Sequence, residues 1–250
     1  LHSRGIVWAP RWVGEAAPPV PMLAWVVQRG PAEVMEVLLE FFPLTDVDGA
    51  WGAEGNTPLC EASRVGSQAH VTVLLGLGAD PGRAKRNGDS PLLLAAACGD
   101  AACVRLLLQA GADPNATTPD GVSALHKACR KGYAEAAELL LSAGADVDME
   151  RSDGSTSLNL AAMTSLGAGV VGVLIDAGAD VNHKGSRRLT PLLSACNRGF
   201  ADTVRQLVAS GACLSSSFSA LGHHPLHVAA WSDHSGDCVR ALLEGGAPME

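Results

Sequence analysis

Short apolar clusters alternate with polar turn residues along the chain, and the alternation is regular. Segments such as Leu92–Cys98 and Leu125–Lys131 are each followed at once by a glycine. A second cluster, of the kind seen in Leu139-Leu140-Leu141, then follows and is itself soon ended by another glycine. Because a glycine in the left-handed conformation commonly ends a helix, this pattern predicts pairs of short helices joined by tight turns.

The helix pairs recur with a fixed period. Comparable segments are separated by 33 or 34 residues, and they begin at Pro58, Pro91, Ala124, Ser157, Pro191 and Pro225. A second marker keeps the same period, in Gly78-Ala79-Asp80, Gly111-Ala112-Asp113, Gly144-Ala145-Asp146, Gly178-Ala179-Asp180, Gly211-Ala212 and Gly246-Ala247. Two independent markers in register indicate an array of structural repeats.

Local signals predict how each unit begins and how it packs. A hydroxyl residue suited to an N-cap precedes most first helices, at Thr57, Ser90, Ser123, Thr156 and Thr190. Small residues fill an aligned pair of positions in the first helix, as in Ala95-Ala96 and Ala128-Cys129. Small side chains let neighbouring helices approach closely, and one unit alone cannot bury its apolar face. The units are therefore expected to stack.

Several of these motifs resemble the ankyrin repeat, namely Ser123-Ala124-Leu125-His126, Thr190-Pro191-Leu192, His224-Pro225-Leu226-His227 and the Gly-Ala-Asp series. The resemblance covers residues 19–250. It implies an all-α, ankyrin-repeat solenoid of about seven helix-turn-helix units, the first one degenerate, with β-hairpin-like tips. It also implies a concave face used for protein binding.

The two ends suggest contacts outside the array. Residues 1–18 form an N-terminal extension that is rich in apolar residues, including Trp8 and Trp12, and we expect it to pack on the first repeat or on a partner. At the other end, Leu242-Leu243 lies close to Glu250, so that flank is expected to be covered by further sequence or by another subunit. Both features favour membership of a hetero-complex.

Composition narrows the classes of partner. The net charge of −8 disfavours binding to phosphate backbones, so nucleic acid is not expected as a partner. The longest apolar run, Pro91–Cys98, is too short for direct membrane insertion. Seven cysteines without a CxxC pair favour a reducing, intracellular and mainly cytoplasmic location. Because the chain begins at Leu1, an organelle reached through a removed targeting peptide stays open.

The repeat register predicts which residues face a partner. The groove hypothesis places a mixed apolar and basic surface on the first helices of the units, at Trp25, Leu94, Lys127, Arg130, Leu160, Met163, Arg198 and Trp231. The alternative is that the apolar members only cover neighbouring helices. The tips add basic residues at Lys85-Arg86 and at Lys184, Arg187 and Arg188. These could meet an acidic partner, or they could be ordinary solvated charges.

The sequence gives little support for metal binding, cofactor binding or catalysis. The cluster of His223, His224, His227, His234 and Cys238 lacks a recognised zinc spacing, so no metal site is predicted. No nucleophile with a matched base and no phosphate-binding loop is evident, so neither a cofactor nor an enzymatic activity is expected.

These observations favour a non-enzymatic scaffold or adaptor that binds a partner protein through its concave groove and hairpin tips. One alternative is a structural subunit held permanently in a large assembly. A second is a substrate-recruiting subunit of a ubiquitin ligase.

Overall fold

The structure, a computed structural model, describes residues 22–41, 46–215, 224–232 and 236–248. Within these residues the chain forms fourteen α-helices and one short 3-10 helix, with no sheet. The helices are α1 (Met22–Arg29), α2 (Ala32–Phe41), α3 (Pro58–Val65), α4 (Gln68–Gly76), α5 (Pro91–Cys98), α6 (Ala101–Gln109), α7 (Ala124–Lys131), α8 (Ala134–Ser142), α9 (Ser157–Ala161), α10 (Gly167–Asp176), α11 (Pro191–Arg198), α12 (Ala201–Ala209), α13 (Pro225–Ser232) and α14 (Asp237–Glu244). The predicted all-α solenoid is confirmed. The N-terminal extension lies outside the described residues.

The predicted caps define the first helix of each unit, which we call the inner helix. In α3 the hydroxyl of Thr57 accepts a hydrogen bond from the Cys60 N–H at 3.2 Å, and Gly66 ends the helix with a φ of 71°. A serine or threonine hydroxyl caps the first turn of α5, α7, α9 and α11 in the same way. Such caps satisfy main-chain groups that a short helix would otherwise leave without partners.

One continuous core runs through the stack. We call the second helix of each unit the outer helix. Inner helices pack against inner helices, as α3, α5 and α7 do in one layer, and outer helices pack against outer helices, as α4, α6 and α8 do in the other. The small-residue pairs of the inner helices, such as Ala95-Ala96, are fully buried. Leucines of the outer helices, such as Leu107 and Leu140, are fully buried in the same core. Every described unit thus buries its apolar face against its neighbours, which is the packing the repeat pattern predicts.

The tips are tight turns that each close on themselves and contact the next tip. In one of them the Thr118 N–H donates to the Val122 carbonyl at 3.1 Å, and the Gly121 N–H donates to the Thr118 carbonyl at 2.8 Å. The Ser152 N–H then donates to the Asp120 carbonyl of the preceding tip at 2.9 Å. The tips are therefore hairpin-like, as predicted, but they carry only isolated β-bridges.

A row of side chains links the loops that follow the outer helices. In each case a carboxylate or amide oxygen accepts a hydrogen bond from a main-chain N–H one repeat later. The pairs are Asp48 with Asp80, Asn115 with Asp146, Asp148 with Asp180, and Asn182 with Cys213, at 2.7–3.2 Å. Gly82 occupies the loop position that the acceptors Asp48, Asn115, Asp148 and Asn182 hold in the other repeats, and it has no side chain to accept such a hydrogen bond.

The fifth unit departs from the pattern at two points. Its inner helix α9 spans only five residues, and the chain then turns over 162–166 into α10. This turn brings Gly167 so close to α9 that a Cβ there would lie 2.0 Å from the Ala161 carbonyl oxygen. The second point is the following tip, where Arg188 has a φ of 59° at the position held by glycine in the preceding tips. A non-glycine residue in the left-handed region is strained.

Candidate functional site

Four of the predicted groove residues lie at the C-terminal ends of inner helices. Arg130 lies in α7, Met163 just after α9, Arg198 in α11 and Trp231 in α13. These helices are neighbours in the stack, since α7 contacts α9, α9 contacts α11 and α11 contacts α13. The structure therefore brings these four residues onto one continuous edge, which we call the groove row.

Exposure along the groove row is high and includes large apolar side chains. Trp231 is 92% exposed and Met163 is 42% exposed. Arg130 and Arg198 are exposed beside them. An indole with this exposure is unusual on a soluble surface, and tryptophan and arginine are the residues that most often dominate protein interfaces.

The other groove positions are less accessible than the register predicts. Leu94 and Lys127 are half-buried, and Leu160 is only 7% exposed. Glu61 and Ser194, at the same inner-helix position, are also buried. The expectation that this position points outward was therefore wrong for Leu160, which is buried and lines a cavity with residues of α7. Its side chain lines this cavity and does not project as an exposed contact residue.

A shallow cavity of about 70 Å³ lies where α7 meets the next tip. It is lined by Val122, His126, Lys127, Arg130, Arg151 and Leu160. Lys127 lies 3.7 Å from an Asp89 carboxylate oxygen, and Arg151 lies 3.4 Å from an Asp153 carboxylate oxygen. Three cationic side chains thus converge on one small cavity.

Sequence reasoning missed His126 and Arg151 as parts of this cavity, because they come from different repeats. A signal did exist, since inner-helix residues reach the tip 23 or 24 positions later. Cys60 Sγ donates to the Arg83 carbonyl, and Asn159 Nδ2 donates to the His183 carbonyl. Lys127 and Arg151 are separated by the same interval.

His126 is a buried member of the cavity wall, and its imidazole is neutral. Burial, assisted by the nearby Arg151 guanidinium, lowers the pKa of His126 from 6.5 to about 4. Its Nδ1 accepts the Ser123 N–H at 3.1 Å, so Nε2 carries the proton. In the next unit Asn159 replaces the imidazole, and its Oδ1 accepts the Thr156 N–H at 3.0 Å.

The basic tips differ in how far their charges are already paired. Lys85 contacts Glu54 at 3.1 Å and its side chain is only 9% exposed, while Arg86 donates to the Ala53 carbonyl at 3.0 Å. By contrast, Lys184 and Arg188 are exposed. The side chains of Arg187 and Trp25 lie outside what the structure describes, so their roles stay predictions.

The thiols and acidic groups of the described residues form no other evident site. No group of three or more His, Cys, Asp or Glu side chains is placed to hold a metal ion within those ranges, which exclude His223 and His234. Burial raises the pKa of the Cys103 and Cys129 thiols to about 12, so both stay protonated and unreactive. In the part of the chain that the structure covers, no helix is long and apolar enough to cross a bilayer.

Comparisons with known proteins agree with this architecture. The family model described as ankyrin repeats matches residues 73–151, 92–185 and 158–250. Among solved structures, the chain is similar to the human ASB11 ankyrin repeat domain, with 27% sequence identity and a TM-score of 0.78. That alignment covers 94% of this chain and 100% of the other. A search of curated proteins found no match. The chain therefore belongs to the ankyrin repeat family.

Proposed function

We propose that the protein is a non-enzymatic scaffold or adaptor that binds a partner protein along the groove row. Ankyrin repeats are in general protein–protein interaction modules. The observation that supports the groove row as the working surface is the 92% exposure of Trp231 in line with Met163 and two exposed arginines. A large exposed ring loses much water-accessible area when a partner covers it, and it loses little conformational entropy.

The experiment is a crosslinking pull-down from the native source with two matched variants. The groove variant carries Arg130→Glu, Arg198→Glu and Trp231→Ala. The control carries the same charge reversals on outer helices, at Arg105 and Arg240, which are exposed on α6 and α14. We expect the groove variant to lose its partner and the control to keep it, because only the first changes the proposed surface.

Equal capture by both variants, or crosslinks confined to the outer helices, would overturn the proposal. The identity of the crosslinked proteins separates its narrower versions. Ubiquitin-ligase subunits would specify a substrate-recruiting role, and a fixed stoichiometric set of partners would specify a structural subunit. The purified chain adds a further criterion, since a monodisperse monomer supports an adaptor and aggregation without a partner supports a structural subunit.

The exposed tip is a secondary contact in this proposal. Arg188 and Lys184 are exposed in an acidic protein, and Arg187 is adjacent in sequence. An acidic partner contacting this tip would be bound less tightly as salt screens the charges. We expect the salt dependence of partner binding to be reduced in the Arg187→Gln/Arg188→Gln variant. An unchanged salt dependence would show that the tip is only a solvated surface.

A further inference from the structure

The cavity beside α7 carries an excess of positive charge. Lys127, Arg130 and Arg151 line it, while only two carboxylates, those of Asp89 and Asp153, pair with these cations. His126 adds no charge near neutral pH because its imidazole is buried and neutral. One positive charge is therefore left over on a protein whose net charge is −8.

One detail indicates that the remaining charge is available to a ligand. Arg130 is exposed and forms no ion pair with any residue that the structure describes. An exposed guanidinium without a carboxylate partner keeps its donors available to a charged acceptor.

The size of the cavity limits what can enter it. A volume of about 70 Å³ accommodates roughly two water molecules, at about 30 Å³ each. Pockets that hold cofactors or metabolites are about 300–1,000 Å³. A carboxylate with its adjoining methylene fits, and the apolar Val122 and Leu160 lie beside the cations to contact that methylene.

We propose that this cavity binds the side-chain carboxylate of an aspartate or glutamate in an extended segment of the partner. The inference rests on the proposed function, because the segment is the part of the partner that lies in the groove. One carboxylate neutralises the single excess charge. A phosphorylated side chain carries about −1.5 to −2 charges, which exceeds the single charge available. The contact would set the register of the segment along the groove row.

The test uses phage-displayed random 12-residue peptides selected on the 250-residue chain. Each selected peptide is synthesised with its acidic residue, with the matching amide, and with phosphoserine at that position. Affinities are measured for the wild type and for Lys127→Gln, Arg130→Gln and Arg151→Gln. The control is Lys131→Gln, which removes the same charge from the exposed neighbour of Arg130 that does not line the cavity.

We expect selected peptides to share one acidic position, and its change to an amide to weaken binding by about tenfold or more. The Arg130→Gln variant should bind the acidic and amide peptides alike, whereas Lys131→Gln should keep the preference. Equal affinities for the two peptides on the wild type would overturn the proposal. So would tighter binding of phosphoserine, an equal loss in the Lys131 control, or failure to enrich any peptide.

The failure of this inference can be separated from failure of the proposed function. If partner crosslinks map to the groove row while peptides show no acidic preference, only the carboxylate site is wrong. If crosslinks avoid the groove row altogether, the proposed function fails as well.

Discussion

Acidification is expected to destabilise the repeat stack through one buried imidazole. The pKa of His126 is lowered from 6.5 to about 4, mainly by burial. Below pH 6.5 the unfolded chain therefore takes up a proton that the folded chain does not bind. The stability contributed by the neutral imidazole is fully present above that pH, and it is lost as the pH falls toward 4. The expected loss is about 2 kcal/mol at pH 5, and it approaches about 3 kcal/mol below pH 4.

The assay is urea unfolding, followed by circular dichroism at about pH 7.5 and pH 5, for the wild type and for His126→Asn. Asparagine is the matched replacement because Asn159 makes the equivalent cap in the next unit. It accepts the same main-chain hydrogen bond and does not titrate. The wild type should lose about 2 kcal/mol more than the variant between the two pH values.

Subtraction of the two profiles removes the other groups that titrate in this range, including His70, whose pKa is also lowered by burial. If wild type and variant lose stability in parallel, the His126 imidazole either is not neutral or is not buried as the structure has it, and the linkage reasoning is refuted.

Four further substitutions test the backbone features of the stack by urea unfolding. Gly167→Ala should destabilise the protein by about 1–3 kcal/mol because its Cβ would meet the Ala161 carbonyl oxygen. Its control is Gly169→Ala, in the same helix with open space around it, which should stabilise by about 0.5–1 kcal/mol. Equal effects of the two substitutions would contradict the close approach at Gly167. Arg188→Gly should stabilise by about 1 kcal/mol by removing the strain of a φ of 59°, and a loss of stability would show that the arginine side chain makes compensating contacts. Gly82→Asn should stabilise by about 1 kcal/mol by supplying the missing link to the next loop, and no gain would mean that the loop cannot adopt the geometry seen at its counterparts.

The fold followed from local signals that recur with the repeat. Hydroxyl caps such as Thr57, glycine stops such as Gly66 and small pairs such as Ala95-Ala96 each act over a few residues, so they can be recognised without tertiary information. Because each unit contacts mainly its neighbours, a correct unit repeated in register already specifies the stack.

The candidate site was only partly predictable. The repeat register alone predicted one surface for Arg130, Met163, Arg198 and Trp231, and in the structure they are exposed at the ends of neighbouring inner helices. Leu160 was misjudged because its burial depends on residues of the neighbouring unit, such as His126 and Lys127 of α7, with which it lines the cavity. Register gives the direction of a side chain from its own helix, but it does not say what the next unit places over it.

The sequence by itself determined the repeat period, the caps and glycine stops of most inner helices, and the packing of the small-residue pairs between units, because those depend on interactions within one unit and its copies. Only the tertiary structure showed that Lys127, Arg130 and Arg151 converge on a cavity with one uncompensated positive charge. Only it showed that Arg188 holds a left-handed backbone. The cavity arises where one unit meets the next, at distances and angles that depend on how neighbouring units pack and that no single repeat encodes.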